Sequence, residues 1–147
     1  MSKPLPIPFS TTLFVREPPG LHVQRAARAL ARRFDEALRP LEITNGQFSL
    51  MMSLNRPDPP SMSAVAAVLA MDRTTLTAAL KPLERRGIVE SFADPGDRRL
   101  KRVRLTTEGG RLLAEALPIW KATHEALDER LGEGGAERLR ADLIALT

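Results

Sequence analysis

Two short runs that alternate apolar and polar residues, Ile88-Val89-Glu90-Ser91-Phe92 and Arg102-Val103-Arg104-Leu105, flank the segment Asp94-Pro95-Gly96-Asp97. A period of two marks half-buried strands, and an Asp-Pro-Gly-Asp segment supplies the residues a tight turn needs, so the stretch reads as one β-hairpin. It follows directly on two helix-type segments joined by a tight turn. The returning arm is Arg98-Arg99-Leu100-Lys101-Arg102-Val103-Arg104, with five cations in seven residues. A cationic wing beside a helix-turn-helix pattern is a surface suited to a phosphate backbone, and double-stranded DNA is the partner it implies.

The rest of the chain reads as helix. Alanine and leucine dominate the apolar set while β-branched and aromatic runs are short, which predicts a mainly α fold with a small β-hairpin wing. The 147 residues, 43% of them hydrophobic, suffice for one compact domain. Five prolines within residues 1–19 predict an extended N-terminal arm. From Gly20 the recurrence of Val23, Ala27, Leu30, Phe34 and Leu38 predicts a first helix over about 20–39, stopped by Pro40.

Thr44-Asn45-Gly46-Gln47 reads as a capping box opening a second helix to about Asn55, followed by a stiff Arg56-Pro57-Asp58-Pro59-Pro60 loop. Ser63 is the expected cap of a short third helix through Leu69. Asp72 is the expected cap of a longer one, which turns Leu76, Leu80 and Leu83 inward and ends at Gly87. Thr106 or Thr107 then caps a long helix, and Gly132, Gly134 and Gly135 separate a last amphipathic one.

A helix laid in the major groove needs an outward face of short polar and cationic side chains. Removing the inward leucines leaves Arg73, Thr74, Thr75, Thr77, Ala78 and Lys81 for that face. In the wing, Asp97 stands two residues before Arg99, where its carboxylate can orient a guanidinium that enters a narrow minor groove. The expected DNA contacts are therefore Arg73, Thr74, Thr75, Thr77, Lys81, Asp97, Arg98, Arg99 and Lys101. Charge follows the same map: residues 73–104 carry a net +5 against +2 before them and −3 after them.

Three segments carry a closer resemblance: Met71-Asp72-Arg73-Thr74-Thr75-Leu76-Thr77, Leu83-Glu84-Arg85-Arg86-Gly87-Ile88-Val89, and Asp94-Pro95-Gly96-Asp97-Arg98-Arg99 leading into Leu105-Thr106-Thr107-Glu108-Gly109. The chain resembles the MarR family of winged helix-turn-helix transcriptional regulators over about residues 20–147. The resemblance implies a homodimer on a palindromic operator, with the winged lobe over about 45–105 and dimerisation helices over about 20–39 and 107–147. It also implies Arg99 as the minor-groove arginine with Asp97 as its orienting partner, and repression relieved by a small aromatic or anionic effector. His22, Arg25, Phe48, Met51 and Met52 are the candidates for such a ligand's pocket.

Other classes find little support. The chain has no cysteine, no tyrosine, no phosphate-binding glycine loop and only two distant histidines, His22 and His124, so no catalytic site, metal site or cofactor is expected. No apolar stretch reaches the ~20 residues of a membrane span, and a cytoplasmic location is expected. The competing reading is a winged-helix protein–protein interaction module without specific DNA binding, which would expose apolar anchors on the helix after Asp72 in place of threonines and cations.

Overall fold

The computed structural model describes Lys3, Pro4 and residues 6–147. Its α-helices are α1 (Thr11–Arg16), α2 (Pro19–Leu38), α3 (Asn45–Ser53), α4 (Met62–Leu69), α5 (Arg73–Arg85), α6 (Thr107–Leu131) and α7 (Gly135–Ile144), with a 3-10 turn at Arg39–Leu41. Strands β1 (Val89–Ala93) and β2 (Lys101–Leu105) lie between α5 and α6. The fold is mainly α with one antiparallel hairpin, in which Val89 pairs with Leu105 and Ala93 with Lys101.

Local chemistry sets most boundaries. Thr44 Oγ1 accepts from the Gln47 amide while Gln47 Oε1 accepts from the Thr44 amide, completing the expected capping box at α3. Asp72 accepts from the Thr75 amide at 2.7 Å and opens α5, and Gly87, at φ +70°, leaves α5 in the left-handed region that glycine adopts without steric cost. Between α4 and α5 the chain turns by 101° through Ala70, which is itself left-handed at φ +53°. Thr106, rather than Thr107, caps α6 by accepting from the Gly109 amide.

Two local expectations are corrected. The cap of α4 is Ser61, whose hydroxyl accepts from the Ala64 amide; Ser63 already lies within the first turn. The N-terminal arm is not extended throughout, because Ser10 caps the six-residue α1 in the proline-free window before Pro18. His22 Nε2, 2.7 Å from the Val15 carbonyl, ties α1 to α2. Met1, Ser2 and Leu5, also assigned to the arm, lie outside the described residues.

One core serves the lobe and the flanking helices. Leu76, Leu80 and Leu83 of α5 meet Phe48, Leu50, Met51 and Leu54 around α3, Met62, Val65 and Ala66 of α4, and Val89 and Val103 of the hairpin, with Leu38, Leu113 and Ala116 closing it from α2 and α6. Each buried Val, Leu, Met or Phe side chain among them contributes about 1.5–3 kcal/mol of transfer free energy. Trp120 and Ile119 of α6 are partly buried and pack against this core. The uncovered apolar side chains are elsewhere: Ile7, Phe9, Leu13 and Phe14 in the arm and α1, Val23 and Leu30 on α2, Val68 on α4, and Leu131, Leu139, Leu143, Ile144 and Leu146 toward the C-terminus. No single helix among the described residues is long and apolar enough to cross a membrane.

Candidate nucleic-acid interface

Helix α5 separates its two faces cleanly. Leu76, Leu80 and Leu83 are at most 2% exposed, and the opposite side presents Arg73, Thr74, Thr77, Ala78 and Lys81 along a shallow open concavity of about 300 Å³. Thr75 is exposed but lies off this concavity, so the structure groups four of the five proposed α5 contacts and sets the fifth on their flank. The Thr77 hydroxyl donates to the Arg73 carbonyl at 2.9 Å, which leaves its lone pairs able to accept. Asp72 sits at the positive end of the helix, and the Thr75 amide holds its carboxyl below the usual carboxylate range.

Other contacts fix the pitch of α5. Arg86 Nη1 donates to the Glu42 carbonyl at 2.5 Å and Nη2 reaches the Leu41 carbonyl, securing the C-terminal end of the helix to the turn before α3. Glu84 accepts from the Ser91 hydroxyl and links the same end to β1. No spacing in the sequence announces the Arg86 contact, since its partners are carbonyls more than forty residues away.

The wing sorts its cations by partner. Arg99 is 94% exposed; its amide and its Nε both donate to Asp97 Oδ1, at 3.1 and 3.4 Å. Arg98 and Lys101 are exposed, and with Arg73 and Lys81 they enter no ion pair among the described residues. Arg104 is committed within the hairpin, 2.6 Å from Glu90 and 4.4 Å above the Phe92 ring. Arg102 is committed too, with Nε 2.6 Å from Asp94 Oδ1 and Nη1 donating to the Pro59 carbonyl at 3.0 Å. Sequence reasoning missed Asp94, whose second oxygen accepts from the Gly96 and Asp97 amides at 2.9 and 3.0 Å. The Asx-turn pattern Asp-Pro-Gly-Asp was the available signal.

The five candidate ligand residues do not line one cavity in this chain. Phe48 and Met51 are core residues, Met52 is half-buried, and His22 and Arg25 line a separate open groove on α2 with Arg28 and Arg32. The aromatic groups that do meet between α2, α3 and α6 form a column. Phe48 stacks on Trp120 at 5.4 Å, Trp120 meets His124 at 4.1 Å, and His124 meets Phe34 at 4.6 Å. His124 lies one helical turn after Trp120, with Nδ1 3.3 Å from the Trp120 carbonyl.

Comparison with known proteins agrees with this arrangement. The MarR family model matches residues 43–101, which run from the start of α3 into β2. The transcriptional regulator HosA of Escherichia coli O111:H- is 36% identical over 105 residues, covering 70% of this chain and 76% of HosA. Among solved structures, the Mycobacterium tuberculosis transcriptional regulator MosR in complex with DNA superposes with a TM-score of 0.78 at 35% identity, over 88% of this chain and 93% of MosR. The transcriptional repressor CouR bound to a 23-mer DNA duplex gives 0.83 at 27% identity, over 95% and 99%. This chain is a winged helix-turn-helix protein. It belongs to the MarR family.

Proposed function

We propose that the protein is a sequence-specific DNA-binding transcriptional regulator acting as a homodimer. One observation carries the reading: α5 turns every large apolar side chain inward and leaves Arg73, Thr74, Thr77 and Lys81 outward, the two cations in no ion pair among the described residues, beside a wing whose tip arginine is held by Asp97. Threonine methyls and hydroxyls suit base edges and phosphates, and the two cations suit phosphates or guanine. Thr75, Asp97, Arg98 and Lys101 complete the proposed contact surface. A protein-contact module would need apolar anchors on this face, and α5 offers none.

Residues 45–105 supply the DNA-binding lobe in this reading, and the helices over 20–39 and 107–147 supply the dimer contacts. The uncovered apolar side chains of α1, α2, the end of α6 and α7 support that division, because all but Val68 of the exposed large apolar residues lie toward the two ends of the chain, where a second copy can cover them. Two recognition helices then lie about one DNA turn apart, ~34 Å, on a palindromic operator. Repression relieved by a small aromatic or anionic effector is the mode we favour. In the Phe34–His124–Trp120–Phe48 column the half-buried Trp120 and His124 rings are the ones an aromatic ligand could stack on, and CouR of Rhodococcus jostii RHA1 binds p-coumaroyl-CoA. Action on DNA assigns the protein to the cytoplasm.

The test is a titration of purified protein against the DNA upstream of its own gene and against scrambled DNA, at two salt concentrations. Tight, footprinted binding to a palindrome is expected. Equal and salt-erased binding to both would refute specific recognition at that site, and no binding at either salt would favour the protein-contact module.

A further inference from the structure

We propose that Arg102 and Asp94 form a clamp that positions the wing, so that Arg102 governs DNA affinity without touching DNA. The proposal rests on the DNA-binding reading above. Five cations crowd the wing, yet they differ sharply in setting: the Arg102 side chain is 31% exposed and the Arg99 side chain 94%. Arg102 spends its planar fork on two partners, Asp94 Oδ1 through Nε and the Pro59 carbonyl through Nη1. Its charge is already matched by Asp94, which removes it from the set available to phosphates.

The clamp has a defined anchor and a defined output. An isolated two-stranded hairpin is marginal in water and needs a third element to hold its pose. Here that element is the segment Pro59–Ser61: the Val103 amide donates to the Pro60 carbonyl at 3.1 Å, Ser61 bridges to Arg102, and Arg102 Nη1 closes the contact from the side. Adjacent prolines stiffen that anchor by fixing φ. On the output side, the Asp94 carboxylate that receives Arg102 also holds the Gly96 and Asp97 amides through its other oxygen. Asp97 in turn holds Arg99. A continuous chain of contacts therefore runs from the Pro59 carbonyl to the wing-tip arginine. Ordering this loop before DNA arrives removes part of the entropy that binding would otherwise lose.

The clamp and a plain charge effect predict opposite signs. Asp94→Asn raises the net charge by one and would strengthen DNA binding if only charge mattered; the clamp predicts weakening of roughly five- to tenfold. Arg102→Lys keeps the charge but cannot serve two partners through a fork, so it is also expected to bind the operator roughly five- to tenfold more weakly. In an Arg99→Ala background the same Arg102→Lys change should have little further effect, because both act through one loop. A general loss of stability would add to Arg99→Ala and lower the unfolding temperature.

Amide hydrogen exchange over residues 94–101 of the free protein reads the clamp without DNA, and both variants should speed it at an unchanged unfolding temperature. Wild-type protein that binds no DNA would overturn the DNA reading and, with it, the role of Arg102 in affinity. Wild-type protein that binds, with Arg102→Lys matching it in affinity and in wing exchange, would overturn the clamp alone. Tighter binding by Asp94→Asn would overturn it in favour of charge.

Discussion

Adjacent glycines at the head of α6 should respond to alanine with opposite signs. Gly109 is buried against the start of β1, and a Cβ added there runs into the Ile88 carbonyl oxygen, with the carbonyl carbon at 3.0 Å and Ile88 Cγ2 at 3.2 Å. The obstacle is backbone, and that oxygen accepts from the Thr106 amide at 3.0 Å and from its hydroxyl at 3.1 Å. Overpacking of this kind costs about 1–3 kcal/mol, loss of one hydrogen bond about 1 kcal/mol more, and the helix preference for alanine over glycine returns about 1 kcal/mol. The net for Gly109→Ala is about 2 kcal/mol of destabilisation, or roughly 6 °C in the unfolding midpoint for a chain of this length. Gly110 has nothing within 4 Å of its added Cβ. Gly110→Ala therefore keeps only the helix-preference gain, and should raise the midpoint by roughly 2–3 °C. Circular-dichroism melts of both variants and wild type at one fixed protein concentration decide the matter, the concentration mattering because a dimer's midpoint depends on it. A Gly109→Ala midpoint within about 1 °C of wild type, or above that of Gly110→Ala, would refute the close-approach argument.

Other outcomes follow from the same geometry. Arg99→Ala removes an almost fully exposed side chain, so the fold and dimer should persist while operator affinity falls by roughly tenfold or more in a fluorescence-anisotropy titration; retained affinity would remove the wing tip from the contact surface. Lys81→Ala should weaken binding on all sequences and lower the slope of log affinity against log salt by about 0.9 if the ammonium sits on a phosphate, whereas a loss confined to the operator would mean base contact. Asp72 is held below its ordinary value of 3.8 by the Thr75 amide. A carboxyl with a lowered folded pKa stabilises in full above its unfolded value and loses that contribution as pH falls through the folded one. Asp72→Ala should then lie below wild type in unfolding temperature at pH 5–7 and converge on it toward pH 2; a constant gap would refute the charged cap.

Which parts of this molecule were legible in its sequence depends on the range of the forces that set them. The Thr44 capping box, the Asp72 cap and the leucine face of α5 depend on residues a few positions apart, the hairpin on strands joined by one short turn, and each formed as its pattern implied. The choice of Ser61 over Ser63 was harder because both offer a hydroxyl. What decides it is Pro60, which precedes Ser61 in an extended segment bonded to β2, so the first free helical turn begins at Met62. Helix α1 was hidden by its flanking prolines, although Ser10 and the seven proline-free residues after it carried the signal. Long-range partners left no local trace at all: Arg86 on the Leu41 and Glu42 carbonyls, and Arg102 on Pro59, join residues about forty positions apart.

The aromatic column shows how packing reassigns residues that pattern alone had placed elsewhere. Pattern alone makes Trp120 one more apolar position of a long helix and gives His124 no role; together they bridge Phe34 of α2 to Phe48 of α3. That bridge matters because α3 leads through Leu54 and the proline loop to Pro59 and Pro60, the carbonyls on which the wing is anchored. If a ligand wedged among the rings displaced α3 through Phe48, the stiff loop and the Arg102 fork are the contacts that would carry that shift to the wing. Differential interaction with the two poses of α3 is the only means by which such a ligand can change DNA affinity. Phe48→Leu, which shortens the stack while keeping an apolar core side chain, should therefore weaken the response to an aromatic effector more than it weakens operator binding in its absence. Equal weakening of both would place the coupling outside the column.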